Sequence, residues 1–231
     1  MVTEHISLAP PYSQPNLAKS MGKCRKFSQE AVRQSCTHAR VVVSGEVLTM
    51  TQHYCEKSKD DPLHRIYHDE EYGFPIGTDD VLFERLILEI NQAGLSWTTI
   101  LKKKNNFRLA YDGFDIVKIA NYDEIQRNRL LKDKGIIRNR LKINAAIHNA
   151  RSIVFICENF DSFFNWLNSQ GTISLQQWVD LFRDNFKFTG PEIVREFLVS
   201  TGYLPGAHHK KCPIYHTVKS LNPPWMREQF K

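Results

Sequence analysis

Residues 67–97, YHDEEYGFPIGTDDVLFERLILEINQAGLSW, decide how the chain is read. The stretch opens on a dense polar and aromatic cluster, Tyr67 to Tyr72, and turns at Gly73, Pro75 and Gly77. One helix follows. Thr78 or Asp79 can cap its start and Gly94 can end it. Short polar side chains accept the free amides of a first turn, and glycine takes the left-handed geometry past a last one. Leu82, Phe83, Leu86, Ile87 and Ile90 recur at helical spacing and give this helix an apolar face. Glu89 falls on that face, seven residues after Leu82 and three after Leu86. A carboxylate there has to be paired, neutralised or used. An ion pair with a neighbouring helix fits the pattern as well as a functional site does.

The 231 residues suit one domain with extensions, or two small lobes. Hydrophobic residues make up 42%, enough for a sizeable core. No apolar run reaches the length of a membrane span, so no membrane partner is expected. The net charge of +6 and a pI near 9.0 favour a polyanionic partner without requiring one. The five cysteines, Cys24, Cys36, Cys55, Cys157 and Cys212, are an odd set. They argue against a disulfide framework and for a reducing cytoplasm.

Residues 1–52 read as a disordered or non-native N-terminal extension. They carry Pro10, Pro11 and Pro15, an excess of basic residues and no amphipathic period. A DNA-binding arm or a targeting segment would have the same composition, and Met50 offers an alternative start. VVVSGEVL at 41–48 can form a strand, though one without a partner.

Past the first helix, Ser96 can cap a second, Trp97 to Ala110, which carries Lys102, Lys103, Lys104 and Arg108. Asp115 can cap Ile116 to Ala120. Asn121 can cap a helix from Tyr122 to about Lys132, with Glu124 three residues on. Gly135 can take the left-handed conformation, with a long helix starting directly after it through Ile143, Ile147, Ala150 and Val154. Asp161 can cap a helix through Phe163 and Trp166. Leu175 to Phe186 reads as helical, and Pro191 sits at a first helical position. Residues 213–231 read as an irregular tail. The fold class is all-α.

Two features carry chemistry. Lys134, Gly135, Arg138 and Arg140 surround a tight turn between two helices, the appearance of a helix-hairpin-helix. Its free amides can hold a phosphate without reading a base, although an ordinary helical hairpin looks the same. His208 and Cys212 are four apart, Cys55 and His68 thirteen apart. Two cysteines and two histidines make a closed tetrahedral zinc site with no position open for chemistry. Spacing alone leaves His209 in competition.

YHDEEYG, LEINQAGLSW, TILKKKNNFR, GIIRNRLKINAAIHNA, FKFTGP and GYLPGAHHKKC occur in one order. Together they resemble the 3-methyladenine DNA glycosylase I family, from about Cys55 to Cys212. The resemblance implies a helix-hairpin-helix glycosylase domain over 53–212. It implies one structural zinc per chain on Cys55, His68, His208 and Cys212, joining the N- and C-terminal regions. It also implies a pocket for an alkylated adenine on Tyr67, Glu89 and Trp97, with Tyr72 and His64 beside them. Tyr72 stands where the family usually has tryptophan, His64 where some members have tyrosine, and Lys57 near a common aromatic. These departures keep open a non-catalytic, zinc-stapled DNA-binding protein, or a glycosylase with a shifted base preference. The implied activity is base flipping and hydrolysis of the N-glycosidic bond of 3-methyladenine in double-stranded DNA. It would be carried out by a monomeric, bacterial-type cytoplasmic enzyme at the nucleoid. A cationic base leaves readily as a neutral one, so no general base is assigned. Leu95 can serve as the apolar wedge that fills the gap in the duplex, or as a buried helix-corner leucine.

Overall fold

The computed structural model describes residues 53–227, and every regular element among them is a helix. The eleven α-helices are α1 Tyr54–Lys57, α2 Pro62–Glu70, α3 Asp79–Gln92, α4 Trp97–Ala110, α5 Ile116–Ala120, α6 Glu124–Lys132, α7 Arg140–Phe160, α8 Phe163–Ser169, α9 Leu175–Asn185, α10 Pro191–Ser200 and α11 Pro213–Ser220. Short 3₁₀ turns lie at Asp112–Phe114 and Pro224–Met226. The expectations for residues 1–52, including the strand at 41–48, lie outside the described residues.

Helix α3 runs through the core. Leu82, Phe83, Leu86, Ile87 and Ile90 are all fully buried. Each such side chain contributes about 1.5–3 kcal/mol relative to exposure. Neighbouring helices cover it on every side, so Glu84, Arg85, Glu89 and Asn91 are buried as well. Thr78 is its N-cap but makes no side-chain cap bond. The Asp79 carboxylate instead serves another helix, accepting from the amides of Phe163 and Phe164, each at 2.9 Å, at the start of α8.

Four expectations are corrected. The cap of α6 is Asp123, not Asn121. Its carboxylate accepts from the amides of Ile125 and Gln126, and Gln126 returns a bond to the Asp123 amide. Tyr122 stays outside the helix with its hydroxyl donating to Asp112. The cap of α8 is Ser162, because Asp161 is used to end α7 in a left-handed turn, φ 63°. The tail after Cys212 is not wholly irregular. Pro213 occupies the first position of α11, where its missing amide is no loss. Finally, Gly135 is not left-handed, and α7 starts only after Asn139. Glycine is needed there for close approach, since a Cβ would lie 2.9 Å from Asp133 Oδ1 and 3.1 Å from Asn106 Cβ.

Candidate functional site

Tyr67 leaves α2 toward the centre of the fold, and the N-cap of Ser96, which accepts from the Thr99 amide, fixes where α4 begins with Trp97. The two rings lie 5.2 Å apart, and Tyr72 approaches Tyr67 at 5.6 Å. Together with Tyr54, Lys57, Glu89, Gln92 and Glu196 they line a cavity of about 280 Å³. Four of the five residues expected in the pocket are therefore brought together. His64 is not among the lining residues. Its Nδ1 pairs with the Tyr54 hydroxyl at 2.9 Å and its Nε2 with Thr98 Oγ1 at 2.8 Å, so it sets Tyr54 rather than the space.

Tyr54, Gln92 and Glu196 were missed by sequence reasoning. Tyr54 adjoins Cys55, and Gln92 lies one turn beyond Glu89, so both had a local signal. Glu196 comes from α10 and had none. The Tyr72 hydroxyl donates to Glu196 Oε2 at 3.3 Å.

Glu89 is 5% exposed and makes no hydrogen bond or ion pair with any described residue. The ion pair that sequence reasoning offered it is taken by its neighbours. Arg85 donates to the Tyr67 hydroxyl and, at 3.0 Å, to Glu71, which Lys104 also contacts. Glu84 pairs with Arg108 at 2.9 Å. Burial pushes the Glu89 carboxyl up to about 8, against the opposing pull of Arg85 and with a smaller push from Glu196. An electron-rich, partly desolvated space with one unpartnered carboxylate suits a flat cation.

The loop after α3 carries Leu95, 39% exposed, so it is not a buried corner leucine. Gly94 turns the loop at φ 81°, and Lys142 Nζ donates to the carbonyls of Asn91 and Ala93 at 2.9 and 2.7 Å. The start of α7 thereby holds this loop. In the hairpin, Lys134, Arg138 and Arg140 are exposed. The amides expected to be free are partly engaged. Gly135 donates to Asp133 Oδ1 at 2.7 Å, and Leu141 and Lys142 donate to Asn139 Oδ1. Lys103 Nζ donates to the carbonyls of Lys134 and Gly135, both at 3.0 Å.

Behind the cavity, Cys55, His68, His208 and Cys212 form a buried cluster whose donor atoms all lie within 4.8 Å of one another. His208 Nδ1 is 3.1 Å from His68 Nε2 and 3.7 and 3.8 Å from the sulfurs of Cys55 and Cys212. Cys212 Sγ is 3.6 Å from His68 Nε2. Nitrogen and sulfur ligands around a tetrahedral ion are separated by about 3.3–3.8 Å, so the set fits a metal. The outer nitrogens are oriented as metal ligands require, His68 Nδ1 on Asp69 and His208 Nε2 on the Tyr72 carbonyl, both at 2.7 Å. Gly73, at φ 80°, lets the tail close in, since a Cβ there would be 2.4 Å from that of Ala207. Without an ion, burial pushes the Cys55 thiol up to about 11 and holds His208 down at about 4. Ion binding therefore has to displace the Cys55 proton.

The methyladenine glycosylase family profile matches residues 57–178. The chain is 37% identical over 180 residues to DNA-3-methyladenine glycosylase 1 of Escherichia coli K12, covering 70% of this chain and 96% of that protein. It is 41% identical over 100 residues to DNA-3-methyladenine glycosylase of Haemophilus influenzae, covering 42% of this chain and 54% of that one. Among solved structures it is similar to a 3-methyladenine DNA glycosylase I with TM-score 0.63 and 34% identity, covering 69% of this chain and 97% of the other. The Staphylococcus aureus glycosylase described for its recognition of 3-methyladenine matches with TM-score 0.63 and 32% identity, over 70% of this chain and 95% of that chain.

Proposed function

The chain belongs to the methyladenine glycosylase family, and from that premise we infer that it is a base-excision DNA glycosylase that hydrolyses the N-glycosidic bond of 3-methyladenine. The observation that carries the reading is Glu89, a buried carboxylate without a partner, facing a cavity walled by Tyr54, Tyr67, Tyr72 and Trp97. An adenine methylated at N3 is flat and cationic. The rings would stack on its faces and the carboxylate would hold its charge and its amino edge. Water oxygen bonds to C1′ as the C1′–N9 bond breaks. The bonding electron pair stays with the base, which leaves neutral, and the water proton passes to solvent. Because the leaving group is already activated, the protein supplies extraction and charge stabilisation more than acid catalysis.

Around this centre, Leu95 would fill the gap left in double-stranded DNA, and Lys134, Arg138 and Arg140 would contact phosphates. Gly135 would keep the turn tight. One Zn²⁺ on Cys55, His68, His208 and Cys212 would supply coordination that ties α1 and α2 to the tail, with no part in bond cleavage. The cavity and hairpin are complete within one chain, which supports a monomer. Cys55, Cys157 and Cys212 form no disulfide among the described residues, in keeping with the reducing cytoplasm, at the nucleoid, that we propose. Among the described residues no helix is long and apolar enough to cross a membrane.

The reading is tested by single-turnover release of bases from methylated duplex DNA, resolved by chromatography. Release of 3-methyladenine by the zinc-loaded protein is expected. Binding of that DNA with no base released would instead support the non-catalytic reading.

A further inference from the structure

We propose that the chain carries a second metal site, on His53, Cys55 and His209, which shares the Cys55 thiolate with the four-residue cluster and takes a thiolate-preferring divalent ion of the zinc class. One donor atom from each of the three residues lies within 4.8 Å of the other two. The rings of His53 and His209 meet edge to face with centroids 4.9 Å apart. His209 Nε2 is engaged by Glu56 Oε1 at 3.2 Å. Carboxylates orient ligating imidazoles in this manner, fixing one nitrogen so that the other faces the ion. That other nitrogen, Nδ1, is buried and has no hydrogen-bond partner. A buried polar atom left unpaired is costly, and an ion would satisfy it. His53 Nδ1 accepts from the Cys55 amide at 3.2 Å, a cap bond that holds the ring beside Cys55.

The adjacent histidines thus divide between two ions. His208 points into the closed cluster, while His209 points to its outer side. Cys55 belongs to both sets, and a thiolate sulfur has lone pairs enough to bridge. With three protein donors, the outer ion keeps a fourth position open. A cleft of about 790 Å³ lined by Cys55, Glu56, His209 and Lys210 adjoins the donors and would give that position access to solvent. Four protein ligands make a closed site and three make an exchangeable one. The sulfur and two imidazoles select zinc-class ions over magnesium or calcium, which require oxygen donors.

The experiment is metal counting on the full chain. Protein loaded with one zinc is titrated with Co²⁺ while absorption is recorded, and bound metal is then measured by elemental analysis. A second equivalent is expected, with a thiolate-to-cobalt charge-transfer band, and a mild chelator should remove it before the first. In the His53→Ala, His209→Ala double variant the second equivalent should be lost and the first retained. A wild type that stops at one equivalent overturns the proposal, as does cobalt bound without the charge-transfer band. A folded double variant that still holds two also overturns it. The wild-type titration decides by itself if that variant does not fold, and none of these readouts depends on glycosylase activity.

Discussion

The Cys/His cluster and the cavity are one residue apart in the chain and opposite in kind. Tyr67 and His68 follow each other on α2, yet the first lines the cavity and the second enters the cluster. Tyr72 serves both, with its ring on the cavity and its carbonyl on His208. In the cluster the outer nitrogen of each histidine has a partner, and the four inner donors converge on one point. In the cavity the central carboxylate has none. A structural site is finished in the absence of any ligand but its ion. A binding site keeps an expensive group unpaired until the ligand arrives. The satisfied His68 on α2 and the unpaired Glu89 on α3 thus mark the contrast that the proposed roles of cluster and cavity rest on.

Breaking the satisfied side should have the largest effect. Cys212→Ala removes one of the four donors of the proposed zinc site, where binding energy would be folding energy, on the order of 10 kcal/mol for structural zinc. Bound metal should fall below one equivalent and the thermal midpoint should collapse. Strong chelation of the wild type should do the same. A variant that keeps its metal and its midpoint would show that the cluster does not hold the fold together.

Breaking the unsatisfied side should leave the fold and remove the activity. Glu89→Gln keeps the shape and removes the carboxyl group that would ionise against a cationic base. Single-turnover release of 3-methyladenine should fall by about 10²–10³-fold, the scale for losing one preorganised electrostatic contact. Affinity for undamaged DNA, set by phosphates, should hold. Undiminished release by a folded variant would remove Glu89 from the site.

The same carboxylate sets a pH dependence. Folded, it keeps its proton until about pH 8, and its ordinary value is 4.5. Between these the native state binds more protons than the unfolded state, so this group's contribution to stability falls as pH rises through that window. The Glu89→Gln variant lacks the term. Relative to wild type it should gain stability from pH 5 to pH 8, by an amount on the order of a few kcal/mol. Denaturant titrations across that range measure it. Parallel curves would mean that the carboxylate is ionised in the folded state and has a partner.

What the sequence showed and what it hid follow the same division. The apolar period of α3, the caps at Ser96 and Asp115 and the start at Pro191 are local signals, and the elements form there. The misplaced caps at Asn121 and Asp161 lie one or two residues from the polar side chains that cap instead, where only the backbone geometry decides. Glu89 was legible as an anomaly on an apolar face, but whether it was paired depended on Arg85 choosing Tyr67 and Glu71. Glu196 and the displacement of His64 behind Tyr54 were not legible at all. They depend on how α10 and α1 pack, which no spacing records.

The smallest expected effect sharpens the comparison at the hairpin, where satisfied and unsatisfied cations also lie side by side. Lys103 and Lys142 donate to backbone carbonyls and hold the turn and the Leu95 loop. Arg138 is exposed and makes no contact with a described carboxylate, and Arg140 reaches Glu124 only at 3.9 Å with both side chains open to solvent. A pair that exposed and that long contributes little to stability. With the Gly135 amide already bonded to Asp133, the proposed phosphate grip would fall to these side chains more than to the turn's backbone. Arg138→Gln and Arg140→Gln should each leave the thermal midpoint unchanged. Each should weaken binding to all duplex sequences alike and lower the slope of log affinity against log salt by about one. Lys142→Met should behave differently, lowering base release while leaving the salt slope in place, because its ammonium holds the loop and not the DNA. Equal slopes in all three variants and wild type would make the hairpin an ordinary helical turn and move the DNA contact elsewhere on the surface.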